Sequence, residues 1–269
     1  MLTPEQHAAR REGIGASEVA AALGLSPYMT QLELYLRKRG EIEPDAETLP
    51  MRYGNHLEPF VLAEFARSHP DLPIVSTPDT MRRGPMLAHL DAWVPGHSNI
   101  QVKTARSRNG WGESGSSDIP MHYVLQVQAE MLLASVPVSF VPTLFGGAEY
   151  SEFVVEADSE LQGMIEAGVV EFWARVQSGE PPAPVSVSDA IARWGRTSRP
   201  ESVTADEQTL AAVARLKALK VQLAALEAEE AAAKAVVLRA LGERDTLVDA
   251  NGQTIATWKS AAAARQFDV

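Results

Sequence analysis

Asp91, Gln101 and Lys103 are the residues whose types and spacing could do chemistry together. Asp91 sits in Ala88-His89-Leu90-Asp91-Ala92-Trp93-Val94, and ten residues on comes Ile100-Gln101-Val102-Lys103-Thr104-Ala105. Glu58, in Gly54-Asn55-His56-Leu57-Glu58-Pro59, is a further carboxylate ahead of them. The chemistry such a set suits is phosphodiester hydrolysis. That reaction needs cations to neutralise the phosphate and to acidify the attacking water. Magnesium prefers hard oxygen ligands: carboxylates, a backbone carbonyl and water. A lysine beside the water can orient it and favour its hydroxide form. Residues two apart on a strand share a face. A carboxylate-x-lysine strand next to an aspartate strand therefore aims both groups into one cleft, and the intervening residue offers its carbonyl. The chain has this layout with glutamine at the acidic position.

The elements that must position these residues are legible around them. Met86 to Val94 and Asn99 to Thr104 alternate like strands, with the turn Pro95-Gly96-His97-Ser98 between them, and so predict a hairpin. Ala16 to Leu23 reads as a short helix with Ser17 as N-cap and Gly24 as its stop. Gln31 to Arg39 reads as a second helix, stopped by Gly40. Leu57 to Arg67 reads as a third, with Pro59 in its first turn, where proline is tolerated. Tyr123 to Ser135 and Ser159 to Ser178 read as helices, and Val138 to Leu144 and Glu152 to Glu156 as strands. Helices flanking a central mixed sheet make the class α/β or α+β. We expect one domain over residues 1–185, a Pro/Ser/Gly-rich linker over 186–204, and a separate unit over 205–269.

In that last unit Leu210, Val213, Leu216, Leu219, Leu223 and Leu226 recur every three or four residues in an Ala/Leu/Glu/Lys-rich stretch. A helix of about 37 residues would be roughly 55 Å long. It would be half of a coiled-coil hairpin or pack on a partner. Asn251-Gly252 between two alternating runs predicts a β-hairpin after it.

Composition sets outer bounds. The chain has 269 residues, 45% of them hydrophobic, enough for a sizeable core. It has no cysteine, which excludes disulfides and thiolate metal sites and suits a reducing cytosol. No run of 18 or more apolar residues predicts a membrane span, and Met1 to Gln6 has no signal-peptide pattern. The net charge is −11, which by itself argues against a nucleic-acid partner. The basic residues nevertheless cluster locally, at Arg10-Arg11, Arg37-Lys38-Arg39, Arg82-Arg83 and Lys103 to Arg108. Each cluster is either a solvated surface or part of a basic cleft.

Six pieces in order resemble the YqaJ-type viral recombinase family, which belongs with phage lambda exonuclease among the PD-(D/E)XK nucleases. They are Arg10-Arg-Glu-Gly-Ile-Gly-Ala-Ser17-Glu-Val; Met51-Arg-Tyr-Gly54-Asn-His-Leu-Glu58-Pro59; Leu90-Asp91; Gln101-Val-Lys103-Thr-Ala; Trp111-Gly112; and Ile119-Pro120-Met-His-Tyr123-Val-Leu-Gln126-Val-Gln128. The resemblance covers residues 7 to 185. It implies a metal-dependent exonuclease that digests linear double-stranded DNA 5′-to-3′ and leaves single strands for recombination. Two magnesium ions, for which manganese could substitute, would be held by Glu58, Asp91, the position of Gln101 and the carbonyl of Val102. Lys103 would orient or deprotonate the water. Arg10 and Ser17 resemble the pair that holds the 5′-phosphate, and Tyr123, Gln126 and Gln128 lie on a helix lining the cleft. Gln126 and Gln128, two apart on a helix, cannot both face it squarely. The resemblance further implies double-stranded DNA ends and a single-strand annealing protein as partners, a homo-oligomer (a trimer in the named relative), and a phage- or prophage-encoded protein in the host cytoplasm.

Plainer roles compete for single residues. Ser17 could be an N-cap, Glu58 a first-turn acid and Tyr123 a core aromatic. Trp111-Gly112 reads as a loop that shapes the cleft. Gln101 removes one negative charge from the site, so the chain is expected to be strongly impaired as a nuclease. One reading is a shape-preserving replacement of a natural glutamate. Another is a relative that binds DNA ends without cutting, and a third is an endonuclease on the same fold.

Overall fold

A computed structural model describes residues 12–43, 47–76, 79–195, 200–260 and 265–268. The chain divides into two compact units, Met1–Ser198 and Arg199–Val269. The first unit is a mixed α+β structure built on two sheets.

Its small sheet joins β1 (Ile14–Gly15), β3 (Met86–Ala88) and β2 (Met81–Arg83), with β1 parallel to β3 and β2 antiparallel to it. Its larger sheet begins with β4 (Ala92–Val94) and β5 (Ser98–Ile100), which form the expected hairpin: Ala92 faces Ile100 and Val94 faces Ser98. Gly96 turns the chain with φ of +69°, a conformation glycine adopts without cost. Next to β5 lies β7 (Val138–Phe145), parallel to it, and β8 (Glu149–Glu156) pairs antiparallel with β7 along its whole length.

The stretch expected as one strand from Met86 to Val94 is two. β3 belongs to the small sheet and β4 to the large one, so residues 89–91 cross between sheets. The following stretch is interrupted too. β5 ends at Ile100 and β6 (Lys103–Ala105) resumes after two residues, yet both run along the same partner in the same register, Ser98 with Val138 and Lys103 with Thr143. Gln101 keeps one ladder bond across the gap, its N–H donating to Phe140 O at 2.9 Å. The break therefore frees the local backbone without ending the strand.

Helices cover the sheets. A 3-10 turn (Ala16–Glu18) leads into α1 (Val19–Ala22), then α2 (Gln31–Lys38) and α3 (Leu49–Ser68). α4 (Met121–Ala134), α5 (Ser159–Ser178) and α6 (Val187–Trp194) follow. Around α4 the core divides by helical face. Leu125 and Ala129 pack with α1, α2 and α5 residues such as Val19, Leu32, Ile165 and Phe172. Val127 and Met131 pack on Val141, Phe145 and Phe153 of the large sheet.

Several expectations change. α3 begins eight residues earlier than its apolar spacing suggests. Pro50, not Pro59, is the proline of its first turn, and Pro59 is interior. An interior proline removes the bond to the carbonyl four residues back and costs helix stability. The helix continues because Val61 and Phe65, both fully buried, anchor its second half. Ser17 is no N-cap. Gly15 occupies that position, its N–H donating to Glu18 Oε2 at 2.8 Å, and Ser17 lies exposed in the 3-10 turn. Within the stretch read as a linker, Ser186 caps α6 through the N–H of Asp189. Asp189, 3% exposed, accepts from Thr30 Oγ1 at 2.7 Å and from the N–H of Val185 at 3.0 Å. That carboxylate ties the helix to the start of α2.

The second unit opens with α7 (Glu207–Leu241), 35 residues long, capped by Asp206 and ended at Gly242. Leu210, Val213, Leu216, Leu219, Leu223 and Leu226 are all exposed along it. Among the described residues no second long helix follows to make an intramolecular coiled-coil hairpin. A three-stranded antiparallel sheet follows instead, β9 (Thr246–Val248), β10 (Thr254–Ser260) and β11 (Arg265–Asp268), one strand more than the expected hairpin. Its first turn also differs from a two-residue Asn-Gly turn. Asp249 Oδ1 accepts from the N–H groups of Asn251 and Gln253, and only Gly252 takes positive φ, +82°.

Candidate active site

Asp91 and Gln101 come together because the β4–β5 hairpin continues one pair beyond its regular ladder. Asp91 precedes Ala92 and Gln101 follows Ile100, and those two residues face each other. Gln101 Nε2 donates to Asp91 Oδ2 at 2.6 Å, and the N–H of Val102 donates to the same oxygen at 2.8 Å. The second bond exists because Val102 leaves the β7 ladder, so its amide can turn to the carboxylate. Gln101 is 5% exposed, and its Oε1 has no hydrogen-bond partner. A buried acceptor left unpaired costs about 1–3 kcal/mol. An oxygen in that condition beside a carboxylate is a ready ligand for a hard cation.

Lys103, two residues on, shares that face of the strand. Its Nζ donates to Gln126 Oε1 at 2.9 Å and lies 4.8 Å from the centre of the Tyr123 ring. Behind it runs a chain of buried polar groups, of which the sequence reading named Gln126 alone. Gln126 Nε2 donates to Glu130 Oε1 at 2.8 Å, and Asn99 Nδ2 donates to Glu130 Oε2, also at 2.8 Å. Ser139 Oγ in turn donates to Asn99 Oδ1 at 2.7 Å. Two periodicities held the signal for Asn99 and Glu130. Asn99, Gln101 and Lys103 alternate on one strand face, and Gln126 and Glu130 stand one helical turn apart.

The electrostatics follow from burial of like charges. Desolvation pushes the Asp91 carboxyl up to about 7; Lys103 pulls it down, and the negative charge of Glu58 adds to the rise. Burial likewise pushes Glu130 up to about 8, against the pull of Lys103 and of the amides of Gln126 and Asn99. Burial lowers the Lys103 amine, while Asp91, Glu130 and Glu58 oppose that shift. His122, beside Tyr123, is lowered by burial and then by Lys103, and its Nε2 is buried without a partner. Burial thus makes both carboxyls hold their protons more tightly than exposed acids do, and the positive charge of Lys103 opposes that.

An acid whose folded pKa lies above its unfolded value stabilises the fold at low pH and loses that contribution as pH rises through the folded value. For Asp91 the window runs from about 4 to about 7. In chelator, the melting temperature of the native chain relative to Asp91→Asn is therefore expected to fall across pH 4 to 7 and level off above. A difference independent of pH would refute the buried, ionising Asp91.

Other expected site residues divide. Glu58, half-buried in the middle of α3 rather than at a helix start, is close enough to raise Asp91, and a first-turn dipole role is excluded. Tyr123 packs against Trp111 at 5.4 Å as well as under Lys103, so it is both a core aromatic and part of the site. Gln128 is turned away. It bonds Glu156 O, Asp158 N and Gln162, and so pins α4 to the end of β8 and the start of α5. Arg10 lies outside the described residues. The basic clusters are largely committed to ion pairs: Arg37 with Glu33, Lys38 with Glu18, Arg83 with Glu166 and Arg108 with Glu149.

The residues that could hold a divalent cation are Asp91, Glu58, Gln101 through Oε1, and Val102 through its carbonyl. Among the described residues no three His, Asp or Glu side chains converge as a metal cluster. The arrangement sets a carboxylate, an unpaired amide oxygen and a desolvated amine close together.

Comparison with known proteins places this geometry. Residues 5–136 match the model of the YqaJ-like viral recombinase domain. The YqaJ protein of Bacillus subtilis (strain 168) is 31% identical over 183 residues, which cover 65% of this chain and 56% of that protein. The match thus spans little more than half of that relative's length. The crystal structure of an alkaline exonuclease, LHK-Exo from Laribacter hongkongensis, is similar in fold, with a TM-score of 0.53 at 18% identity, over 66% of this chain and 94% of that one. The stretch that matches that model contains Glu58, Asp91, Gln101, Lys103 and Gln126, so the candidate site lies where this chain is similar to the YqaJ-like viral recombinase domain.

Proposed function

We propose that this chain is a metal-dependent nuclease of the exonuclease type, acting 5′-to-3′ on linear double-stranded DNA, with its catalytic power reduced by Gln101. The observation that carries the reading is the convergence of Asp91, Gln101, the Val102 backbone and Lys103 on one spot, inside a domain whose fold resembles that of an alkaline exonuclease. Glu58, Asp91, Gln101 and Val102 would hold magnesium, with manganese as a substitute. When bound, the cation supplies charge neutralisation at the phosphate and a more acidic water. Asp91 keeps its orientation through two donors on Oδ2. Lys103, with its amine lowered by burial, holds and orients the attacking water and can take its proton. Tyr123 and Gln126 fix that amine from two sides. Ser17, exposed in the 3-10 turn, and Arg10 would contact the 5′-phosphate. A single-strand annealing protein would receive the product strand, and a ring-like homo-oligomer would keep the chain on its substrate.

A second reading, a DNA-end-binding protein that does not cut, is favoured by one specific observation, the uncharged Gln101. One experiment separates the readings. Linear duplex labelled at either end, and closed circular duplex, are incubated with the native chain and with Gln101→Glu in magnesium. Release of the 5′ label from linear DNA, with circles spared, is expected for the exonuclease. Cutting of circles would replace it with an endonuclease. Binding without release of either label by both proteins would leave the silent end-binder.

A further inference from the structure

Glu130 is 1% exposed, and both of its carboxylate oxygens are engaged by amide donors, from Gln126 on its own helix and Asn99 on the facing strand. Ionised, as it is above about pH 8, this carboxylate accepts and does not donate. Each amide must therefore turn its NH₂ group to Glu130 and its oxygen the other way. For Asn99 the oxygen meets the hydroxyl of Ser139. For Gln126 the oxygen meets Lys103 Nζ, a group that only donates. One buried acceptor thus sets the polarity of the whole chain from Ser139 to Lys103. A neutral amide at position 130 would offer NH₂ to one of two NH₂ groups. One neighbour would have to flip, and a flipped Gln126 would point its own NH₂ at the lysine.

We propose that Glu130 is a positioning residue for Lys103: acting through Gln126, it fixes which end of that amide faces the lysine and so holds the amine at the candidate site. Its two oxygens face the two amides in the interior, 1% exposed. The role matters for catalysis only on the reading of Lys103 as the amine that faces the water, but the positioning itself can be measured without any DNA or metal. The groups that face Lys103 are Gln126 and Tyr123 with their neighbours His122 and Glu130 from α4, Asp91 from the crossing segment, and Glu58 from α3.

The test is site-resolved labelling of lysines by an amine-reactive reagent at about pH 9, where Glu130 is ionised, read by peptide mass spectrometry. The native chain, Glu130→Gln and Gln126→Leu are compared. Lys217 and Lys220, on the exposed helix α7, normalise the reagent. Lys38, whose side chain is 5% exposed and paired with Glu18, reports on the fold. Loss of a charged hydrogen bond is expected to raise Lys103 labelling about tenfold in both variants, with Lys38 unchanged. Lys103 labelling at the native rate in a folded variant would overturn the proposal, and so would a parallel rise at Lys38, which marks general loosening. Should Glu130→Gln not fold, Glu130→Asp takes its place, since it keeps the charge but draws the carboxylate back from Gln126, and the same rise in Lys103 labelling is expected. The outcome is independent of whether the chain cuts DNA, so failure of the nuclease reading and failure of this assignment are separately visible.

Discussion

Gln101→Glu is expected to raise magnesium-dependent digestion of linear duplex DNA by about a hundred- to a thousand-fold, the scale set by a full charge aimed at a developing charge in a water-poor site. The environment of Gln101 explains why the gain should be so large. Its Nε2 is spent on Asp91 Oδ2 at 2.6 Å, and its Oε1 is buried and unpartnered. Glutamate at the same place keeps the shape, removes the donor that partly neutralises Asp91, and puts a second carboxylate against the first. Without a cation this is unfavourable, since like charges so close cannot both ionise freely. With a cation it becomes the missing ligand. The variant should therefore melt lower than the native chain in chelator at neutral pH and show a larger upward shift on adding magnesium. Rates on labelled duplex and the two melting curves together check the claim. A variant with neither added activity nor an added magnesium-dependent shift would show that position 101 is not a ligand position.

In that active background, Lys103→Met is expected to reduce cleavage by at least about a thousand-fold, the range associated with losing a positioned acid–base group. Methionine fills similar volume but neither donates to Gln126 nor carries charge. Its effect on stability has a distinctive pH dependence. Lys103 is the cation shared by Asp91, Glu130 and Glu58, and its removal leaves buried carboxylates without their partner. Breaking such a set costs about 3–5 kcal/mol. Asp91 and Glu130 already have values raised to about 7 and about 8, and both move further up when the lysine goes. The destabilisation should be largest above pH 8 and shrink toward pH 5, where both acids take up protons. Urea unfolding at the two pH values measures this. Cleavage within tenfold of the parent, or a loss of stability that grows as pH falls, would remove Lys103 from the role assigned to it.

The residues themselves explain why part of the site was readable in advance. Asp91, Gln101, Val102 and Lys103 are close in sequence, and a hairpin with a short turn brings near neighbours together by local geometry alone. The alternation of Asn99, Gln101 and Lys103 then places all three on one face. Glu58 was recognisable as a candidate, but its setting was not. The apolar spacing of α3 is clear only from residue 57 on, because the first turns carry exposed Leu49, Met51 and Tyr53. Pro59 looked like a beginning because an interior proline is normally excluded, and burial of Val61 and Phe65 overrides that preference here. Gln128 resembled a cleft residue by its nearness to Gln126. A helix turns about 100° per residue, and the two amides serve opposite sides of α4.

The sequence by itself determined the mixed α+β class, the β4–β5 hairpin, the helices α2, α4, α5 and α7, and the identity of the groups at Asp91, Gln101 and Lys103. These are properties of short windows, where propensity, period and turn chemistry act over a few residues. Tertiary structure alone decided three things. It split Met86–Val94 between two sheets, so that Asp91 sits at the crossing rather than on a strand. It turned the amide of Val102 onto Asp91 where Val102 leaves the ladder. It also set Glu130 behind Lys103, joining residues 27 positions apart in the chain through Gln126. Each depends on which buried polar group finds a partner once water is excluded, and that is settled only when helix α4 packs against the strand carrying Asn99 and Lys103.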